Sequence, residues 1–346
     1  MNKLTILLTT QNRRATLQRA LEAIFATVDP AIPFEVLVAD DGSTDDTPAF
    51  LNALAGSNPS VSTLRNPTAR GPAAARNRGI RQASGDFVLI AGDDVIFQAG
   101  AIGLLYHHAL THDMSRASVI GNIGPCPEGI TPFEHWCSHG GSQFTHYRIQ
   151  ESERLDCGEA YFYTSNILTP RTLLLEYPFD ESFPYPRYED RELGYRLRRA
   201  IGHVIHYEKN ALSTHRHPLR FANWLTGFKT FVWSALHFAN LYPHDATLAR
   251  QLGLERARNE TRFDFSALTV AAETLNAKHP LYFSEDPTIS GPARQELGQG
   301  FRLIQEFFRM MYFREWLTLP PQYDARHDLH ANQAATRLLA QLSGAL

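Results

Sequence analysis

Three observations predict an α/β fold with a mixed, mostly parallel sheet and a C-terminal helical extension. Short apolar runs end in carboxylates: Val36-Leu37-Val38-Ala39 runs into Asp40-Asp41-Gly42-Ser43, and Phe87-Val88-Leu89-Ile90-Ala91 into Gly92-Asp93-Asp94. Such a run reads as a strand buried on both faces, with its acids at the C-terminal end, where open α/β sheets bind ligands. Strand and helix patterns alternate through the first half of the chain, which argues for parallel strands joined by right-handed crossovers. From about residue 219 onward the pattern becomes mainly helical.

The elements follow from local pattern. Residues 3–9 form an apolar strand. Over 14–27, Leu17, Leu21, Ile24 and Phe25 recur on one helical face. Residues 34–39 are the second strand, and the Ser/Thr/Asp cluster after it caps a helix over 46–54 through Thr44 or Asp45. A short strand follows at 61–64. Pro72 opens a helix that ends near Ala83, with Gly85 just beyond it. Strands at 86–91 and 117–123 flank a helix over 99–111. Residues 124–158 are rich in Gly, Pro, His and aromatics and have no clear period, so they read as a long functional loop. Regular pattern returns at 160–169, with a helix at 191–200 and a strand at 203–207. Two domains are expected, 1–220 and 221–346.

Composition narrows the function classes. Of the 346 residues, 43% are hydrophobic, which is ample for a core and argues against global disorder. The net charge of -3 favours neither nucleic acid nor an anionic membrane. Three cysteines, Cys126, Cys137 and Cys157, suit reduced thiols in a cytoplasmic protein better than a disulfide framework. The N-terminus enters a strand at once, with no pattern of a signal peptide. The aromatic stretch 221–242 carries Asn223, Thr226, Lys229, Ser234, His237 and Asn240, too polar a set for a membrane span.

Six clusters carry chemistry. Thr9, Thr10, Gln11, Asn12 and Arg13 close the first strand with side chains suited to a base or a pyrophosphate, or to a plain capped turn. In Asp40-Asp41-Gly42-Ser43 one acid can accept a hydrogen bond from a base N–H, and the glycine lets the chain turn sharply. Arg70-Gly71-Pro72 opens a helix of small residues that a ligand can approach closely, with Arg76 placed to neutralise phosphate. Asp93 and Asp94 repel each other unless a cation or hydrogen bonds compensate, and a divalent metal on a diphosphate is the natural compensation. Glu189 and Asp190 stand at a helix start, where the dipole favours negative charge and one carboxylate can act as a general base. His215 and His217 follow a strand, and His215, at the strand end, is the better candidate for a metal ligand. By contrast His135, Cys137 and His139 match no common zinc spacing, and His107, His108 and His112 read as ordinary surface or core residues on a helix.

In order and spacing these clusters resemble the inverting glycosyltransferases of family 2, with the GT-A fold, over roughly residues 1–220. Thr10-Gln11-Asn12-Arg13 resembles the family's opening turn, Val38-Ala39-Asp40-Asp41-Gly42-Ser43 its acidic nucleotide-binding turn, and Ala75-Arg76-Asn77-Arg78-Gly79 its third signature. Gly92-Asp93-Asp94 falls on the Asp-X-Asp metal motif, with Gly92 in place of the first acid. The resemblance implies transfer of a sugar from a nucleotide-diphosphate donor, uridine by default, to an acceptor hydroxyl. It implies Asp190 as catalytic base and Asp94 with His215 as ligands of Mn²⁺ or Mg²⁺. It places Thr9, Thr10, Asn12, Asp40, Asp41, Gly71, Arg76 and Asp93 around the nucleotide, and Glu189 on the sugar or acceptor side. The expected setting is surface polysaccharide or glycoconjugate synthesis in the cytoplasm or at the inner face of its membrane. The acceptor is a glycan, a lipid-linked molecule or a protein, and no nucleic acid is involved.

Competing classes lack their signatures. A dehydrogenase needs G-x-G-x-x-G after its first strand, and no glycine stands there. A nucleotidyltransferase would carry a Gly-rich basic loop at the same place. The remaining alternative is a GT-A domain that binds sugar nucleotide or glycan without turnover. In the tail, Phe221, Trp224, Leu225, Phe228, Phe231, Val232, Leu236 and Phe238 form a broad apolar face, and Phe301, Ile304, Phe307, Phe308, Met311 and Trp316 recur near helical spacing. These helices either pack on the catalytic domain, dock on a membrane surface, meet a lipid-linked acceptor or form a dimer.

Overall fold

The computed structural model describes residues 2–125, 131–139, 145–183, 185–216, 221–254 and, between 291 and 305, all but positions 294, 296 and 303. In chain order the elements are β1 (Leu4–Thr10), α1 (Arg14–Thr27), β2 (Phe34–Asp40), α2 (Thr47–Ser57), β3 (Val61–Arg65), α3 (Pro72–Gln82), β4 (Phe87–Gly92), β5 (Val95–Phe97), α4 (Ala101–Thr111) and β6 (Ala117–Pro125). Then come α5 (Pro132–His139), β7 (Asn166–Pro170), α6 (Arg171–Glu176), α7 (Glu189–Ile201), β8 (Val204–His215), α8 (Phe221–Leu241) and α9 (Ala246–Gln251). The stretch expected to be one long loop, 124–158, instead holds α5 and short 3₁₀ turns at Thr145–Arg148 and Glu151–Glu153. The positions Cys126, His217, Phe307, Phe308, Met311 and Trp316, singled out above, lie outside the described residues.

The chain divides into two compact units. The first comprises Met1–Cys126, Phe144–Ser182 and Glu189–His217; the second comprises Pro127–Gln143, Phe183–Tyr188 and Pro218–Leu346.

The first unit is built on one eight-stranded sheet of order β3-β2-β1-β4-β7-β6-β8-β5. Strands β3, β2, β1 and β4 are parallel neighbours; β7 runs antiparallel to β4 and to β6, β8 parallel to β6, and β5 antiparallel to β8. The central strands are buried on both faces. Leu4, Ile6 and Leu8 of β1, Val36 and Val38 of β2, and Leu89 of β4 join one core with Leu17, Leu21 and Ile24 of α1 and Leu105 of α4. The alternate residues Leu7, Leu37, Val88 and Ile90 join the other core with Ala73 and Ile80 of α3 and Leu193 and Leu197 of α7. Period-2 alternation therefore feeds two helix layers, and the runs read as continuously apolar for that reason.

Register sets the site. Thr10 pairs with Asp40 and Thr9 with Gly92, so the loops after β1, β2 and β4 emerge side by side. Val95 pairs with His215 across β5 and β8.

In the second unit, aromatic rings pack together. Phe133 and Trp136 of α5 lie 5.1 and 5.6 Å from Phe301 between ring centroids, and Phe221 of α8 lies 4.9 Å from Phe301. Phe221, Val232, Leu236 and Phe238 of α8 are buried. No helix among the described residues is long and apolar enough to cross a membrane.

Candidate functional site

All described site residues belong to the first unit, and most stand at the C-terminal ends of parallel strands. After β2 the chain must turn between packed loops. Gly42 makes the turn at φ 76°, and a Cβ there would meet the backbone of Thr68 and Ala69 at 2.7 Å, so glycine serves both conformation and space. The two acids before it have different jobs. Asp41 Oδ1 accepts from Asn66 Nδ2 at 2.7 Å, and its carboxylate also accepts the backbone N–H groups of Arg70 at 3.0 Å and Gly71 at 2.8 Å. It therefore shapes the 66–71 loop, and Gly71 reaches the site as one of its donors. Asp40 Oδ1 accepts from the Ser43 backbone at 2.9 Å. Its Oδ2 is buried without a hydrogen-bond partner and lies 3.3 Å from Arg65 Nε. A buried carboxylate oxygen with a lone pair to give is suited to a base N–H.

Asn12 sits at φ 53°, a conformation that Asn tolerates through local hydrogen bonding. Its Oδ1 accepts the backbone N–H of Thr44 at 2.7 Å and of Asp45 at 3.3 Å, while its own N–H donates to Ser43 Oγ at 2.8 Å. It thus ties the β1–α1 turn to the β2–α2 turn rather than capping α1. The expected cap of α2 also shifts: Asp45 Oδ1 accepts from the Thr47 N–H at 3.0 Å, and the helix begins at Thr47.

The β4 end carries the strongest electrostatics. Asp93 and Asp94 are both buried. Thr10 Oγ1 donates to Asp93 Oδ2 at 2.7 Å. The Arg13 fork spans the two acids: Nη1 is 2.7 Å from Asp93 Oδ1 and Nη2 is 2.7 Å from Asp94 Oδ2. His215 Nε2 lies 3.4 Å from that same Asp94 oxygen, brought there by the β5–β8 pairing and by the Arg216 N–H donating to the Asp94 carbonyl at 2.7 Å. Burial pushes the Asp93 carboxyl up to about 6, with Arg13 opposing it. Burial would also raise Asp94, but His215 and Arg13 hold it well below the usual carboxylate range.

Asp94 and His215 fit a divalent cation. Two donor atoms each about 2.1 Å from one ion stand roughly 3.0–3.4 Å apart, and theirs are 3.4 Å apart. One carboxylate and one imidazole suit Mn²⁺ at least as well as Mg²⁺. No group of three such side chains gathers among the described residues, so remaining positions would fall to ligand and water oxygens.

Glu189 and Asp190 open α7. Arg76 Nη1 donates to Glu189 Oε1 at 2.6 Å and its guanidinium lies 5.4 Å over the Phe179 ring, while its Nε is buried without a hydrogen-bond partner. Glu189 Oε2 is buried without a hydrogen-bond partner. Asp190 accepts at 3.5 Å from both the backbone N–H and the hydroxyl of Thr164. Thr164 reaches it because the chain entering β7 lies at the β4 end: the Gly92 N–H donates to the Ser165 carbonyl at 3.1 Å. Burial, reinforced by the Glu189 charge, raises the Asp190 carboxyl, while Arg76 opposes.

Thr10, Asn12, Asp40, Asp41, Gly71 and Asp93 thus interlock with Arg13 and Asp94, while Arg76, Glu189 and Asp190 form a second cluster; Thr9 adjoins Gly92 in the sheet register. Sequence reasoning assigned Arg13 no separate charge role and missed Thr164 altogether. The arginine had a visible signal, a cation beside a paired acid motif; Thr164 had none.

The sequence profile described as Glycosyl transferase family 2 matches residues 5–175. A GalNAc(5)-diNAcBac-PP-undecaprenol beta-1,3-glucosyltransferase of Campylobacter jejuni is 32% identical over 123 residues, covering 35% of this chain and 38% of that protein. A pre-mycofactocin glycosyltransferase of Mycobacterium tuberculosis is 27% identical over 241 residues, covering 69% of this chain and 48% of that protein. The matches therefore span less than half of these relatives. Among solved structures, a mannosyltransferase from Pyrobaculum calidifontis in complex with GDP-Man and Mn²⁺ superposes with a TM-score of 0.57 at 18% identity, covering 89% of this chain and 86% of that one. With a GT-A sheet and this match, residues 5–175 of the chain belong to glycosyl transferase family 2.

Proposed function

We propose that this chain is a metal-dependent inverting glycosyltransferase that moves a sugar from a nucleotide-diphosphate donor to an acceptor hydroxyl. The observation that carries the reading is a set of side chains at the strand ends: Asp40 with a buried oxygen that has no hydrogen-bond partner, Asp94 beside His215, and Asp190 with a raised carboxyl at a helix start. Asp40 Oδ2 would accept a base N–H. The loop held by Asp41, with Gly71, and the turn held by Asn12, with Thr9 and Thr10, would surround the nucleotide. Asp94 and His215 would hold Mn²⁺ or Mg²⁺, which when bound supplies positive charge against the leaving diphosphate.

Asp190 would take the proton from the attacking hydroxyl as the acceptor oxygen bonds to the anomeric carbon and the diphosphate leaves. One displacement inverts that carbon, so no enzyme nucleophile is needed. The elevated pKa suits a base working near neutral pH, and the Arg191 N–H, 2.8 Å from Asp190 Oδ1, orients it together with Thr164. Glu189, fixed by Arg76, keeps an oxygen for a sugar or acceptor hydroxyl.

A UDP-sugar is the default donor. A glycan on a lipid carrier is the acceptor class that the Campylobacter relative's name supports, and with such an acceptor the enzyme would work in the cytoplasm or at the inner face of a membrane, in polysaccharide or glycoconjugate synthesis. The second unit's helices would then supply a membrane-surface contact or a homodimer contact. Gly92, in place of the first acid of the metal motif, favours one second reading: a domain that binds sugar nucleotide without turnover.

Thermal denaturation with UDP-, GDP- and other nucleotide sugars, with and without Mn²⁺, tests the donor site; a donor at about 100 times its dissociation constant adds roughly 2.7 kcal/mol. Asp190→Asn should then lower turnover by about 10²–10⁴-fold while keeping that stabilisation. Unchanged turnover in the variant would remove Asp190 from the mechanism. A donor that binds but is never transferred to any acceptor or to water would favour the binding domain.

A further inference from the structure

The oxygen that a divalent ion would need is already occupied by a cation. Arg13 Nη2 and His215 Nε2 both face Asp94 Oδ2, at 2.7 and 3.4 Å. An ion shared by Asp94 and His215 would lie within contact distance of the guanidinium, and two positive charges on one carboxylate oxygen repel. Arg13 also reaches Asp93, so one guanidinium compensates both acids. The acids are deeply placed, with side chains 5% and 12% exposed, whereas the Arg13 side chain is 33% exposed. The guanidinium therefore covers the acids from the solvent side and can swing away without unpacking either core. Its backbone stands outside α1 at φ −138°, ψ 37°, just after the left-handed Asn12, so the side chain is carried on a turn and not on a helix.

We propose that Arg13 is a resident cation exchanged for the divalent ion: it holds Asp93 and Asp94 in the metal-free protein and must release Asp94 before an ion can join Asp94 to His215. This rests on the sugar-transfer reading only for the identity of the ion. The apparent ion affinity is then set by competition, since a binding-competent state that must first be freed lowers affinity by its population. The arrangement also explains how two buried adjacent carboxylates are tolerated without metal, a placement that is otherwise costly.

The test uses the full chain and Mn²⁺ alone, with no nucleotide, titrated by calorimetry or by the electron paramagnetic resonance of free Mn²⁺. Arg13→Gln should bind Mn²⁺ about tenfold more tightly than the unaltered protein, and Arg13→Lys should fall between them. Should Arg13→Gln melt too low to titrate, Arg13→Gln/Asp93→Asn relieves the exposed like-charge pair and is compared with Asp93→Asn; the same tightening is expected. Equal or weaker Mn²⁺ binding on loss of Arg13 would overturn the exchange, as would absence of Mn²⁺ binding in every form. The donor screen described above reads nucleotide binding separately. Exchange seen without any donor binding would sink the sugar-transfer reading and leave the role of Arg13 intact.

Discussion

A Cβ at position 92 would lie 2.9 Å from Asp94 Oδ1 and 3.0 Å from Val95 Cγ2. Glycine here is thus matched to the pose of Asp94, which Arg13 and His215 hold from the other side. Gly92→Ala should displace the Asp94 carboxylate, cost about 1–3 kcal/mol of stability through overpacking, and weaken Mn²⁺ binding. Denaturant unfolding and a Mn²⁺ titration read the two effects, and an alanine variant with unchanged ion affinity would show that Asp94 does not depend on the missing side chain. The same residues show what a sequence reveals at this scale. Carboxylates at strand ends were legible as a site, because buried apolar runs seldom end in paired acids without a use for them. What each acid does was less legible. Asp40 and Asp41 are adjacent and identical in type, yet one keeps a buried oxygen without a hydrogen-bond partner while the other gives its lone pairs to Asn66, Arg70 and Gly71. The donors that decide this come from a loop some 25 to 30 residues away in the chain, and no local pattern encodes them. Arg76 is a similar case: its Nη1 pairs with Glu189, 113 residues on, a contact that no local pattern encodes.

Elements with one continuous period were read nearly residue for residue. The strand expected over 34–39 is β2 (Phe34–Asp40), and the helices expected over 14–27 and 72–83 are α1 and α3. Two strands were misjudged for a physical reason. Strand β8 runs to His215, well past the expected end at 207, because a register shift opposite Gly121 and Asn122 lets polar Lys209 and Asn210 project from the strand. Strand β5 has only three residues and shows no period of its own. Together they carry His215 to Asp94, a pairing between distant strands that no local pattern encodes. The turn between β1 and α1 also acts at this scale, because Asn12 clamps the β2–α2 turn through four hydrogen bonds. Asn12→Ala should lose the three that its side chain accepts and strain a left-handed position, while Asn12→Gly loses the same bonds without the strain. We expect Asn12→Gly to cost about 1–2 kcal/mol and to weaken the nucleotide-induced rise in melting temperature, with Asn12→Ala worse on stability. A glycine variant with full nucleotide response would confine Asn12 to structural duty.

At the scale of the whole molecule, the parallel half of the sheet was foreseeable because each strand, crossover helix and next strand is one local unit. The antiparallel strand β7, inserted between β4 and β6, was not, since its partners are distant and its five residues are all buried with no alternation to read. Burial on this scale also sets the acid stability of the fold. His108, His146 and His203 are buried, and burial lowers each to about 4 from an ordinary 6.5. A group whose folded pKa is depressed in this way takes up its proton first in the unfolded chain. Its stabilising contribution is present above pH 6.5 and is lost as pH falls from 6.5 towards 4. The raised carboxyls of Asp93 and Asp190 act in the opposite sense over much of the same range, because the folded protein holds their protons more tightly. These imidazoles, with His206, which burial also lowers, outnumber the two carboxyls and leave a net loss of stability on acidification. His146 isolates the effect: it lies apart from the acid clusters, both of its ring nitrogens are buried without hydrogen-bond partners, and it is packed by Tyr161, Tyr163 and Tyr207. His146→Phe keeps a ring in that place and removes the titration. Denaturant unfolding at about pH 6.5 and about pH 5 should show a smaller loss in the variant than in the unaltered chain, the difference reaching about 2 kcal/mol at most, since one such group contributes roughly 1.4 kcal/mol per pH unit. Equal losses in the two proteins would mean that His146 already carries its proton in the fold, and that its aromatic surroundings, not its neutrality, are what the site stabilises.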